Sequence, residues 1–379
     1  MAKRLKIVAD ENISGLQSFE SFAEVQTLPG RQITAASLQD MDVLLVRSVT
    51  QVNESLLQHS RLRFVGTATS GYDHVDLNYL RQRKIHFAYA PGSNACAVVQ
   101  YVFAALAQLM PDRRGDWRKL SLGIVGGGNI GSLLADCCQR LDMKFVIHDP
   151  YLKESYRFSS QLVSLDEVLA QDVITLHTSL ERGGPHPSFH LLHENSMRQL
   201  PANCCLINAA RGAVIDGAAL QRWLQGKDEA SCVLDVWEGE PQIDIELLQA
   251  VNLGTPHIAG YSLEGKERGS ALIYRALLDC FDLGPQPDFP LDQHKTVLQL
   301  PLKNQALEQI NQTILAAYDI QQDSQALKEL NSGADPAKTF EQLRKNYPLR
   351  REFSHYQIKS EDYAEEALQT LLALGFSQA

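Results

Sequence analysis

The sequence has no CxxC pair and no cysteine–histidine set at zinc spacing, which excludes the common structural zinc modules. Its seven cysteines are an odd number, and most lie in apolar runs such as "ANCCLINAA". That usage reads as buried free thiols in a reducing compartment. Positive charge is also short: 35 Lys and Arg stand against 45 Asp and Glu, a formal net charge of −10. So acidic a chain lacks the basic face that broad binding to nucleic acid or anionic membrane needs. A few arginines can still build a local site for an anion. Long apolar runs are missing as well. The longest, "ACAVVQYVFAALAQLM", is broken by Gln100 and Gln108 and reads as a buried or interface helix, not a membrane span. The start, "MAKRLKIVADEN", runs from charge into a short strand without the pattern of a signal peptide, so the expected location is the cytoplasm. No internal repeat or low-complexity tract occurs.

What is present is a globular chain of 379 residues, 44% hydrophobic and 21% charged, long enough for two or three domains. "LKIVAD", "DVLLVRS", "RFVGTATSG" and "KIHFAYAPG" read as strands in βα units of a parallel sheet. Ligands of such sheets gather at the carboxyl ends of the strands, and these ends carry small or polar residues, among them Ser48, Thr50, Thr69 and Asn94. A helix follows over about 94–110. From Leu120 a second βα series begins, with "LSLGIV", "KFVIHDP", "DVITLHTSL", "CCLINAARG" and "ASCVLDVWEGEP". A helical stretch at 264–283 can return the chain to the first lobe, and "GPQPDFP" reads as a boundary. The expected fold is α/β: two Rossmann- or flavodoxin-like parallel-sheet domains with a cleft between them, plus a small α+β C-terminal domain. The expected boundaries are 1–93 with 264–284 for a substrate-binding domain, 94–263 for a nucleotide-binding domain, and 285–379 for a dimerisation domain.

The second series holds the strongest motif. Gly126-x-Gly128-x-x-Gly131 follows a strand and opens a helix, and the next strand ends in Asp149, 18 residues after Gly131. That context is the dinucleotide fingerprint. Gly126 permits the tight turn, Gly128 admits the pyrophosphate, and Gly131 lets helix and strand pack closely. The phosphates then meet the free N–H groups of the helix start, at Asn129 and Ile130. Asp149 accepts from the adenosine ribose and repels a 2′-phosphate, so NAD is expected over NADP. Thr178, Asn208 to Arg211 and Asp235 end later strands; Thr178 and Asp235 also suit ordinary turns.

Oxidising an alcohol by hydride transfer also requires a base for the hydroxyl proton and a cation for a carboxylate and the developing carbonyl. His257 is the candidate base, Glu240 the carboxylate that fixes its tautomer, and Arg211 the bidentate cation. Taken alone, such a histidine is more often a core residue, Glu240 a solvated loop acid and Arg211 a surface or cap arginine. Their order after a dinucleotide fingerprint favours the catalytic reading.

"NAARGAVID", "LDVWEGEP" and "TPHIAG" resemble the signature blocks of the D-isomer-specific 2-hydroxyacid dehydrogenases. That resemblance implies Arg211, Glu240 and His257 as the catalytic set. It selects Glu240 over the nearby Glu238 because the family's acid directly precedes the proline. "ADENI", "FVGTATSGYDHVD", "GTPHIAGYSLEGK" and "RKNYPLRRE" narrow the resemblance to the branch that oxidises 4-phospho-D-erythronate at C2 on the way to pyridoxal 5′-phosphate. The branch implies a homodimer. It also implies substrate contacts at Ser48, Thr69 and Tyr261, and NAD contacts at Asp149, Thr178, Ala209, Ala210, Arg211, Asp235 and Gly260. The chain departs from the usual pattern at Ser93, Gln100 and Tyr72. For the substrate phosphate the expected clamp is Arg47 with an arginine from the "RKNYPLRRE" cluster, Arg344, Arg350 or Arg351. The alternatives are another dehydrogenase of the family, such as one acting on 3-phosphoglycerate, and a non-catalytic NAD-sensing protein on the same fold.

Overall fold

A computed structural model describes residues 4–301, 305–329 and 335–379. Met1 to Lys3 of the charged start, and Leu302 to Asn304 at the head of the helical C-terminal stretch, lie outside the described residues. The chain forms two compact units, residues 1–94 with 261–293, and residues 95–260 with 294–379.

In the first unit, strands β1 (Leu5–Asp10), β2 (Ala23–Leu28), β3 (Val43–Val46), β4 (Phe64–Thr67) and β5 (His86–Tyr89) form a parallel sheet in the order β2-β1-β3-β4-β5. Strands β3 and β4 are buried at every residue, as the continuous apolar runs of a two-sided parallel sheet require. Strand β2 alternates polar residues at the sheet edge, so it gives no apolar run to read. Helix Leu263–Phe281 supplies Ile273, Tyr274 and Leu277 to the core around Phe19 and Phe64, and Phe289 closes it. The strand order reverses between β1 and β3, where this class of sheet binds ligands, and Arg47 and Ser48 follow β3 at that point.

In the second unit, β6 (Leu122–Val125), β7 (Phe145–His148), β8 (Val173–Leu176), β9 (Cys205–Asn208), β10 (Ser231–Leu234) and β11 (Leu253–Gly254) are all parallel, in the order β11-β10-β9-β8-β6-β7. The order reverses at β6/β8, so the glycine loop after β6 lies at the switch point. Helix Ala95–Arg113 is long and apolar enough to cross a membrane, but most of it is buried in this unit. Helices Ala306–Ala317 and Ile320–Lys328 pack on it. Three short parallel strands, β12 (Thr296–Val297), β13 (Tyr356–Ile358) and β14 (Ser377–Gln378), complete the C-terminal segment.

Candidate active site

The glycine loop has the geometry a dinucleotide needs. Gly126 has φ 97°, and a Cβ there would lie 2.8 Å from the His177 carbonyl carbon and oxygen. A Cβ on Gly131 would overlap the Gly126 carbonyl oxygen, so helix Asn129–Arg140 packs on the loop at a distance only glycine allows. A Cβ on Gly128 would meet nothing within 4 Å, which leaves room for a pyrophosphate. No side chain caps the start of this helix, which carries Asn129 and Ile130. Asp149, past β7, accepts from the Gly127 amide at 2.9 Å and the Tyr151 amide at 3.0 Å. Thr178 follows β8 and is half-buried. Beside it, burial pushes the His177 imidazole down to about 3, so it packs as a neutral ring.

Arg211, Glu240 and His257 leave the carboxyl ends of the neighbouring strands β9, β10 and β11. An Asn208 turn shapes the first segment: its side chain accepts from the Ala210 amide at 3.1 Å and donates to the Arg211 carbonyl at 3.1 Å. Ala209 and Ala210 are buried there. Gly212 presses on the next loop, since a Cβ would overlap the Trp237 carbonyl group. His257 Nδ1 and Glu240 Oε1 are 2.5 Å apart, with side chains 31% and 24% exposed. Burial pushes the Glu240 carboxyl up, but His257, its hydrogen bond and Arg344 outweigh burial and hold it below the ordinary value of 4.5. Glu238, the rival acid, instead meets His190 Nε2 at 2.7 Å and the Gly217 amide at 3.2 Å.

The carboxylate of Asp235, expected toward the cofactor, is engaged by the His257 loop. It accepts from the Thr255 hydroxyl at 2.7 Å, the Ile258 amide at 2.7 Å and the Ala259 amide at 2.9 Å. Burial pushes this carboxyl up, opposed by His257 and these hydrogen bonds. Gly260 ends the loop and is the last residue of this stretch of the second unit.

In the first unit, Thr69 Oγ1 donates to the Gly71 carbonyl at 2.7 Å and lies 2.7 Å from Thr67 Oγ1, while Ser48 is exposed. The Arg47 guanidinium stands 5.6 Å from the centre of the Tyr261 ring, and Lys266 Nζ stands 5.2 Å from it. Two cations on one ring make a local positive site. Sequence reasoning misses Lys266, five residues after Tyr261, because only the fold brings Arg47 to the same ring and so pairs the two cations.

The expected phosphate clamp needs correction at Arg350. This residue is 7% exposed, and its Nη2 donates to the Ala259 and Ala97 carbonyls. It is therefore a buried structural cation and not part of a solvent-facing cluster. The clustered charges of "RKNYPLRRE" hide this, because the groups that bury Arg350 lie far away in sequence.

Comparison with known proteins agrees with this geometry. A family model described as "D-isomer specific 2-hydroxyacid dehydrogenase, NAD binding domain" matches residues 108–259, and a domain of unknown function matches 293–375. The protein of Cellvibrio japonicus (strain Ueda107) named erythronate-4-phosphate dehydrogenase is 43% identical, over 98% of this chain and 99% of its own. A relative of the same name from Yersinia enterocolitica is 41% identical, again over 98% and 99%. Among solved structures, the TT0316 protein of Thermus thermophilus superposes with a TM-score of 0.63 at 24% identity, over 75% of this chain and 99% of its own. D-Lactate dehydrogenase of Aquifex aeolicus, complexed with NAD and lactic acid, gives 0.61 at 23% identity, over 74% and 100%. At that identity the likeness is one of fold.

Proposed function

Because the chain belongs to the erythronate-4-phosphate dehydrogenases, NAD-dependent enzymes of the D-isomer specific 2-hydroxyacid dehydrogenase family, we propose the following assignment of its reaction to its residues. The substrate is 4-phospho-D-erythronate, and the product is (R)-3-hydroxy-2-oxo-4-phosphooxybutanoate, a step toward pyridoxal 5′-phosphate. NAD, held by the glycine loop and Asp149, would supply the acceptor for the C2 hydride. His257 Nε2 takes the C2 hydroxyl proton, so a ketone is left as both bonds to hydrogen break. Glu240 holds the opposite ring nitrogen, which fixes the tautomer that can accept, and stays ionised beside the imidazolium. Arg211 grips the substrate carboxylate and the developing C2 carbonyl. The observation that carries this reading is the 2.5 Å Glu240–His257 pair in the same unit as the glycine loop.

Cofactor contacts are assigned to the backbone of Gly126, Gly128, Asn129, Ile130 and Gly131, to Asp149 at the ribose, and to Thr178, Ala209 to Arg211, Asp235 and Gly260. Ser48, Thr69 and Tyr261 are assigned to the substrate, with Arg47 and Lys266 at its phosphate. We place the enzyme in the cytoplasm as a homodimer formed through residues 285–379, a reading supported by exposed Val297 and Leu349 and testable by light scattering. The deciding test is NADH formation from 4-phospho-D-erythronate, with and without an added 2-oxo acid, set against 3-phosphoglycerate. Absence of turnover in both conditions sinks the reading. So does a His257→Ala enzyme that keeps its rate, since loss of the base should cost roughly 10²–10⁴ in kcat.

A further inference from the structure

We propose that Arg350, contributed by the C-terminal segment, is a positioning residue that holds the His257 loop from its carbonyl side. The inference rests on His257 being the base.

His257 has φ 56°, in the left-handed region that a non-glycine residue rarely adopts. Such a loop keeps its shape only where its surroundings over-determine it. Three of its amides donate to one residue. The His257 amide donates to the Asp235 carbonyl at 2.7 Å, and the Ile258 and Ala259 amides donate to the Asp235 carboxylate. Its acceptors are held separately: Trp237 Nε1 donates to the Thr255 carbonyl at 2.9 Å, and Arg350 Nη2 donates to the Ala259 carbonyl. The loop is thus held between a buried carboxylate and a buried guanidinium.

The guanidinium is itself fixed. It lies 4.3 Å from the centre of the Tyr318 ring. The Tyr318 and Tyr347 hydroxyls donate to Asp323 Oδ2 at 3.0 Å and 2.7 Å. Tyr101, whose ring centre is 6.2 Å from that of Tyr318, returns to the loop through a 2.8 Å bond between its hydroxyl and Thr255 Oγ1. Removing the guanidinium leaves the Ala259 carbonyl without this donor. The loop then relaxes, and the imidazole drifts from Glu240 and from the proton it must take. A displacement of about 1 Å is enough to lower a rate roughly a hundredfold.

The test uses full-length Arg350→Ala and Arg350→Lys enzymes. Steady-state kinetics, NAD affinity and amide hydrogen exchange at residues 255–260 are measured for each. For Arg350→Ala, kcat should fall about ten- to a hundredfold with KM and NAD affinity near wild type. The Ile258 and Ala259 amides should exchange faster, and added guanidinium should restore part of kcat. Arg350→Lys keeps the charge and one donor without the ring stacking, and should fall between the two. Wild-type kcat and exchange in Arg350→Ala overturns the proposal. So does a rise in KM with kcat unchanged, which would place Arg350 on the substrate. If Arg350→Ala does not fold, an Arg350→Lys enzyme with wild-type kcat and exchange overturns it equally. Failure of the catalytic reading itself is separate, because the wild-type enzyme would then be inactive while exchange at 258 and 259 still reports the clamp.

Discussion

Two residues of the site lend themselves to direct titration of their roles. Glu240 has a folded-state pKa depressed below its ordinary 4.5, so the stability it contributes is complete above that value and is lost as the pH falls through the depressed one. Glu240→Gln should therefore lower the melting temperature at neutral pH, by about 1 kcal/mol of stability. That deficit should close in acid, and thermal melts across pH 3 to 8 check it; a deficit constant with pH contradicts the ion-pair account. Lys266 makes a different prediction. Lys266→Ala should raise KM for 4-phospho-D-erythronate roughly tenfold, the loss of about 1.4 kcal/mol, and leave KM for unphosphorylated D-erythronate unchanged. Equal effects on the two acids would remove Lys266 from the phosphate. The three residues proposed as catalytic can be read from the sequence because each follows a strand end in a fixed block. The role of Lys266 cannot, since it comes from sharing the Tyr261 ring with Arg47, which is far away in sequence.

At the scale of elements, the contact between the Arg211 turn and the Glu240 loop is a tight constraint on the site. Gly212 lies against the Trp237 backbone with no room for a methyl group. Gly212→Ala should cost about 1–3 kcal/mol and lower kcat, because Arg211 and Glu240 move together. Gly217→Ala is the control, with its nearest neighbour, Glu238 Oε2, at 3.6 Å. Thermal melts and kcat on the pair test the argument; equal stability of the two variants would defeat it. Legibility also divides by element. The buried strands β3, β4, β6, β8, β9 and β10 are continuous apolar runs and are plain in the sequence. Strand β2 is half polar, and β12 to β14 have two or three residues each, so their pairing depends on partners up to 60 residues away.

For the whole molecule, the cysteines offer a measure of opening. Cys137, Cys138, Cys204, Cys205 and Cys232 are buried, and burial pushes the Cys204 and Cys205 thiols up to about 12. Cys96 and Cys280 are half-buried. A disulfide reagent should titrate at most two thiols quickly and the other five only as the second unit opens. NAD at about a hundred times its Kd should slow that phase about a hundredfold, the equivalent of about 2.7 kcal/mol. A slow phase indifferent to NAD would contradict binding in that unit. The same scale explains why Arg350 reads as a surface charge in the sequence: its neighbours Ala97, Ala259 and Tyr318 are brought to it only by the packing of the C-terminal segment. The interrupted first unit also bears on how the chain is made. Phe19 and Phe64 are covered by Ile273, Tyr274, Leu277 and Phe289, which follow the entire 95–260 stretch. At ~5–20 residues per second on the ribosome, the newborn sheet waits roughly ten to forty seconds with its aromatic face bare. That interval is when a nascent-chain chaperone has its natural target.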